Sequence, residues 1–159
     1  MKNPCVALHE LGQSVWLDTI NDGLIQSGEL ESMIRAGVVY GVTSNPTIFK
    51  AAIGGDKYSY PQEIVRLAGA GKSAEEIFDE LSARDIVRTA DLLAETYRNG
   101  TGRDGYVSLE VPPSLAYDTE ATIAEAKRLW KKVDRPNLFG KVPGQQACWQ
   151  AAEDQRRDG

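Results

Sequence analysis

Arg135-Pro136-Asn137-Leu138-Phe139-Gly140-Lys141-Val142-Pro143 holds a short apolar run with a proline on either side. Residues 138–142 have the length and fencing of one buried strand. Lys141 sits near the end of that run, although lysine is among the residues least often fully buried. An amine drawn out of water holds its proton less tightly and becomes a nucleophile towards carbonyls. The position equally suits a lysine that runs its stem along apolar surface and keeps its amine at the rim. Taken alone, the stretch leaves both open.

The segment before this strand is a helix. Asp118 caps it, Ile123, Ala126, Trp130 and Val133 line one face, and Glu120 and Lys131–Lys132 suit the dipole at its two ends. Before the helix, residues 106–111 form a β-branched and apolar strand that Pro112-Pro113 ends. Residues 56–99 read as helical, with apolar stripes at Ile64/Leu67/Ala68, Ile77/Phe78/Leu81 and Ile86/Ala90/Leu93/Tyr97. Gly69-Ala70-Gly71 separates the first stripe from the second, and Ser73 can cap the second.

Residues 38–43 form another strand, running into Asn45 at an N-cap and Pro46 at a first helical position. Residues 29–36 form a helix that stops at Gly37, and Asn21-Asp22 can cap a turn before it. Residues 14–18 are the first strand, behind a short leading helix that ends at Gly12. Strands alternating with helices predict an α/β fold of parallel βα units on one sheet.

The 159 residues suffice for one domain. A net charge of -5 and a pI near 5.0 give no electrostatic reason to expect nucleic acid or an anionic membrane as partner. No apolar run reaches the length of a membrane span and no secretory leader is visible, so a cytoplasmic protein is expected. Cys5, Cys148 and the single histidine, His9, do not form a metal-ligand spacing.

Asp18, Asn45, Glu110 and Lys141 fall at or just past the ends of the four expected strands. Active sites of α/β barrels and of doubly wound sheets are built at that edge. A lysine with two carboxylates and an amide is a kit for imine chemistry: the amine adds to a carbonyl, the acids move protons, and the amide orients hydroxyls. Each residue also has a plain structural use. Asn45 can be only a helix cap, Asp18 can cap the turn at residues 19–22, and Glu110 can be a simple ion-pair partner of Lys141.

Five ordered motifs carry a resemblance. Val-Trp-Leu-Asp (15–18), Gly-Val-Thr-Ser-Asn-Pro-Thr-Ile-Phe (41–49), Val-Ser-Leu-Glu-Val (107–111), Tyr-Asp-Thr-Glu-Ala-Thr (117–122) and Pro-Asn-Leu-Phe-Gly-Lys-Val-Pro (136–143) together resemble the transaldolase family. The resemblance implies the first half of a (β/α)8 TIM barrel, working through a Schiff base and without a cofactor. It implies transfer of a dihydroxyacetone unit in the pentose phosphate pathway, from sedoheptulose 7-phosphate and glyceraldehyde 3-phosphate to erythrose 4-phosphate and fructose 6-phosphate. It also implies Lys141 as the Schiff-base lysine, Asp18 and Glu110 as the acid/base carboxylates, and Asn45 as the residue that binds substrate hydroxyls.

The departures from the family pattern are specific. Phe139-Gly140 stands where relatives carry two larger aliphatics, and Pro112 and Gln145 stand where they often have serine and threonine. The expected division is a half barrel over residues 1–143 and a divergent tail over 144–159, as a truncation or reading-frame slip near codon 144 would leave. An open half barrel has an unpaired strand edge and an uncovered interior, a state prone to associate with itself or with a complementary half. The sequence therefore carries two functional expectations: a transaldolase, and an inactive half barrel acting only by association. A small doubly wound binding domain is disfavoured, because no glycine-rich phosphate turn follows the first strand.

Overall fold

Asparagine and proline start the first element. Asn3 accepts the Cys5 amide and Pro4 takes the first position of α1 (Pro4–Glu10). The computed structural model describes residues 3–55 and 60–142. Among them the order is α1, β1 (Trp16–Leu17), α2 (Asp22–Gln26), α3 (Glu29–Arg35), β2 (Gly41–Val42), α4 (Pro46–Gly55), α5 (Tyr60–Gly69), α6 (Ala74–Asn99), β3 (Tyr106–Glu110), α7 (Thr119–Val133) and β4 (Leu138–Lys141). A single 3-10 turn, Pro113–Leu115, lies between β3 and α7. The tail expected over residues 144–159 lies outside the described residues.

The four strands pair in parallel in the sequential order β1-β2-β3-β4, with Trp16 beside Gly41, Gly41 beside Tyr106, and Glu110 beside Lys141. This is an α/β architecture with flanking helices, a partial TIM barrel. A reversal of strand order, the mark of a doubly wound sheet, does not occur in it. Ile20, Val42, Val107, Leu109 and Leu138 meet Leu30, Ile86, Leu93, Leu129 and Val133 of the helices in one core. Because successive strand residues point to opposite faces, the alternate positions Trp16, Tyr106, Ser108 and Phe139 lie on the face without helices.

Local signals account for most boundaries. Ser73 and Glu76 form a reciprocal capping box at the start of α6. The apolar stripes at residues 77–81 and 86–97 join there in one helix of 26 residues, because no breaker separates them. Asp118 accepts the Ala121 amide at the start of α7. Gly105, at φ +81°, turns the chain into β3 so close to α6 that an added Cβ would lie 2.2 Å from the Tyr97 nitrogen. Buried Asn137 donates to the Ala90 and Gly105 carbonyls at 2.9 and 2.8 Å, tying the entry of β4 to both α6 and the turn.

Some expectations need correction. The buried stripe of α7 runs through Thr122, Ala126, Leu129 and Val133, whereas Trp130 is 49% exposed. Leucine sits one position nearer the centre of the core-facing arc and takes the place assigned to the tryptophan. The strand expected over 38–43 is shorter, Gly41–Val42, flanked by the bonds that Tyr40 N donates to Val15 O and Thr43 N to Leu17 O, because residues 38–39 still belong to the turn out of Gly37. Asn21 does more than cap a turn: it starts the short helix α2 by accepting the Leu24 amide at 2.7 Å.

One buried polar cluster holds the helical layer together away from the sheet edge. The Tyr60 hydroxyl accepts the Asp22 amide at 3.0 Å and donates to Asp85. Arg88 bonds Asp22, Arg84 pairs with Asp85 at 3.0 Å, and all three of Tyr60, Asp22 and Asp85 are fully buried. Burial pushes the Asp85 carboxyl and the Tyr60 hydroxyl up from their usual ranges, while Tyr60 and Arg84 pull Asp85 back down.

Candidate active site

Strand periodicity builds the site. Thr43 and Asn45 follow Gly41 on one face of β2, Ser108 and Glu110 follow Tyr106 on β3, and Lys141 follows Phe139 on β4. Polar side chains at the ends of neighbouring parallel strands therefore converge at the carboxyl edge, where loops leave the sheet.

Lys141 is the centre of this group. Its Nζ donates to Thr43 Oγ1 at 3.2 Å and to the Ser44 carbonyl at 3.0 Å, and Glu110 Oε2 lies 3.6 Å away. The Lys141 side chain is 40% exposed and that of Glu110 26%. The amine is thus open to an approaching molecule and has a carboxylate within reach of a proton transferred directly or through one water. Lys141 lies on the open face, not the helix-facing side.

The other two expected residues, Asp18 and Asn45, make no hydrogen bond or ion pair with the amine. Asp18 is exposed one residue past β1, and it makes no hydrogen bond or ion pair among the described residues. It does not cap α2, because Asn21 does. Asn45 is half-buried, and its Oδ1 accepts the Ile48 amide at 2.9 Å at the start of α4. The cap uses only the carbonyl end of that amide, which leaves the Nδ2 end as a donor.

Three residues of the site were not anticipated. Thr43, Ser44 and Ser108 form a polar floor under Lys141: Thr43 Oγ1 and Ser108 Oγ lie 2.9 Å apart, the Ser44 amide donates to Ser108 Oγ at 3.3 Å, and the Ser44 hydroxyl donates to the Ser108 carbonyl at 2.6 Å. The signal was the period of two. Thr43 precedes Asn45 by two and Ser108 precedes Glu110 by two, so each acid or amide has a hydroxyl below it on its own strand face. One layer further down, Phe139 stacks on Tyr106 at 4.2 Å and faces Trp16 at 6.0 Å. Trp16 lies over Gly41, where a Cβ would come within 2.5 Å of the indole.

A cavity of about 640 Å³ adjoins the site behind β3. It touches Asn45 and Glu110, but its walls are Phe49, Phe78, Leu109 and Leu129, and Lys141 does not line it. Among the described residues no group of three or more histidine, cysteine or acidic side chains is placed to hold a metal ion, and no helix is long and apolar enough to cross a membrane.

Most of the chain is similar in sequence to known proteins. The family model described as Transaldolase/Fructose-6-phosphate aldolase matches residues 15–159. A protein named Transaldolase from Thiobacillus denitrificans is 47% identical over 134 residues, which cover 84% of this chain and 37% of the relative. One of the same name from Saccharopolyspora erythraea is 47% identical over 137 residues, 86% of this chain and 37% of the relative. A protein named Transaldolase 2 from Nostoc punctiforme is 40% identical over 151 residues, 95% of this chain and 39% of the relative. The chain thus spans little more than a third of the length of these curated relatives.

Proposed function

Because the chain belongs to the transaldolase/fructose-6-phosphate aldolase family, we propose that its four βα units carry the imine-forming half of a transaldolase site. The observation that carries the reading is the position of Lys141 Nζ, on the open face and 3.6 Å from Glu110 Oε2. In this reading Lys141 adds to the ketone of a sugar phosphate and loses water to give a protonated imine. Glu110, beside the amine, moves the protons of that addition and dehydration. Asp18, exposed and unpaired among the described residues, takes the proton of the substrate hydroxyl as the neighbouring carbon–carbon bond breaks. The electrons of that bond pass into the imine, leaving a dihydroxyacetone enamine on Lys141 for the acceptor aldehyde. The Nδ2 of Asn45 donates to substrate hydroxyls and holds them in register.

The substrates of the reading are sedoheptulose 7-phosphate with glyceraldehyde 3-phosphate, giving erythrose 4-phosphate and fructose 6-phosphate in the pentose phosphate pathway of the cytoplasm, with no cofactor. Among the described residues no arginine contacts Lys141 or Glu110, so the described part of the site offers a substrate phosphate no guanidinium beside the amine. Each missing charge-assisted contact is worth about 1.5–3 kcal/mol, and binding weakens tenfold per about 1.4 kcal/mol. Turnover by residues 1–159 alone is therefore expected to fall below measurement. The test is borohydride trapping with fructose 6-phosphate, read by peptide mass spectrometry, with Lys141→Ala as control. Slow labelling at Lys141 above the other lysines supports the reading. Label spread evenly over surface lysines such as Lys127 and Lys131 would refute it.

A second reading, an inactive half barrel that associates with a second copy, has its own observation. Phe139 is 47% exposed on the open face, and among the described residues β1 and β4 are the two sheet edges. Two copies related by a two-fold axis could pair β4 of each with β1 of the other and cover both aromatic layers. Sedimentation of residues 1–159 distinguishes the readings: a monomer at micromolar concentration refutes association.

A further inference from the structure

Imine formation needs the lone pair of Lys141 to face the open side of the site. An ammonium carries three N–H bonds, whereas the neutral amine keeps two and gains a lone pair in the third direction. Two oxygens already take N–H bonds of Nζ: Thr43 Oγ1 at 3.2 Å and the Ser44 carbonyl at 3.0 Å. Glu110 Oε2 stands 3.6 Å off.

Both acceptors are held from below. Ser44 is pinned to Ser108 twice, by its backbone amide and by its side-chain hydroxyl. Thr43 Oγ1 lies 2.9 Å from Ser108 Oγ. Since Thr43 Oγ1 accepts from Lys141, its own hydrogen is available to Ser108. A threonine is also stiff about χ1, so its oxygen keeps one direction.

We propose that Thr43, backed by Ser108, is a positioning residue for Lys141: with the Ser44 carbonyl it occupies two N–H bonds, so that the proton surrendered is the one facing Glu110. The proton passes from Nζ to the Glu110 carboxylate, directly or through one water, and the N–H electron pair stays on nitrogen. Ammonium and carboxylate become amine and carboxylic acid, and the lone pair that forms the C–N bond is left on the Glu110 side of Nζ, on the open face that both side chains share. Thr43 touches no reacting carbon; it acts through the lysine. The inference deepens the reading of Lys141 as the imine-forming residue and rests on it.

The experiment uses nuclear magnetic resonance of the full chain carrying 15N-lysine, with the Nζ signal of Lys141 assigned by its loss in Lys141→Arg. Hydrogen exchange of that Nζ with water is expected to be slower than at exposed Lys131 by about tenfold or more, the factor that about 1.4 kcal/mol supplies. Thr43→Val removes the acceptor and should lose most of the protection, Thr43→Ser should keep it, and Ser108→Ala should fall between. Unchanged protection in Thr43→Val, or equal loss in Thr43→Val and Thr43→Ser, would overturn the proposal. If Thr43→Val does not fold, by circular dichroism, Ser108→Ala decides, and unchanged protection there overturns it. No imine is made in this measurement. Protection that depends on Thr43 without trapping at Lys141 would refute the imine reading alone, and trapping at Lys141 without that dependence would refute the positioning role alone.

Discussion

Replacing Tyr60 with phenylalanine removes one oxygen and leaves the ring, so the core keeps its shape and no cavity opens. That oxygen serves two buried partners, as acceptor for the Asp22 amide at 3.0 Å and as donor to Asp85. An amide left unsatisfied in the interior costs about 1–3 kcal/mol, and a hydrogen bond to a charged group is worth about 1.5–3 kcal/mol. Arg84 remains beside Asp85 at 3.0 Å and compensates part of the second loss. Tyr60→Phe should therefore destabilise by about 3 kcal/mol, which lowers Tm by about 6–12 °C at the 2–4 °C per kcal/mol of a chain this size.

The pH dependence has a definite sign. Burial raises the Asp85 carboxyl above its usual range, and the Tyr60 hydrogen bond pulls it down. Without that bond the folded-state value rises further. An acid whose folded value lies above its unfolded value penalises the fold above the folded value and loses the penalty as pH falls through it. The deficit of Tyr60→Phe against the parent should be largest at neutral pH and narrow in mild acid, leaving the Asp22 amide as the residual cost. Urea unfolding of both chains at the two pH values measures this. A deficit below about 0.5 kcal/mol, the size of an ordinary surface substitution, or one that widens in acid, would refute the account of the cluster.

Two further predictions concern the scaffold. Gly105→Ala should cost well above the about 1–2 kcal/mol of the left-handed conformation, because the new Cβ meets the Tyr97 backbone at 2.2 Å. Gly102→Ala, at φ +77° with Tyr106 Oη 3.7 Å away, should cost only the conformational part. Equal shifts in urea midpoint for the two variants would show that the close approach of α6 to Gly105 is wrong. Ser73→Ala should lower stability by about 1 kcal/mol through loss of the capping box, and an unchanged midpoint would refute a folded first turn of α6.

How much of this was legible depended on whether the signal was local. Ser73, Asp118, Asn45-Pro46 and Gly37 announce their helix ends through their own chemistry, and the proline-fenced run at 138–142 announces β4. The parallel order of the strands followed from alternation with helices. The contacts under Lys141 were not readable in the same way, since Thr43 and Ser108 are 65 positions apart and meet only once β2 and β3 pair. The Tyr60 cluster was missed because it joins α2, α5 and α6 through side chains whose spacing carries no period. Trp130 was misplaced because two apolar neighbours compete for one face of α7 and leucine took it.

The most direct test of the proposed chemistry is the rate at which borohydride traps a ketose on Lys141 in the parent chain and in Glu110→Gln. The glutamine keeps the size and position of the side chain but cannot move a proton from the amine. Trapping in the parent should map to Lys141, and Glu110→Gln should slow it by about 10²-fold, the lower range for a positioned acid or base. Equal rates in the two chains, or label that ignores Lys141 in both, would contradict the pairing of Lys141 with Glu110 as a catalytic unit.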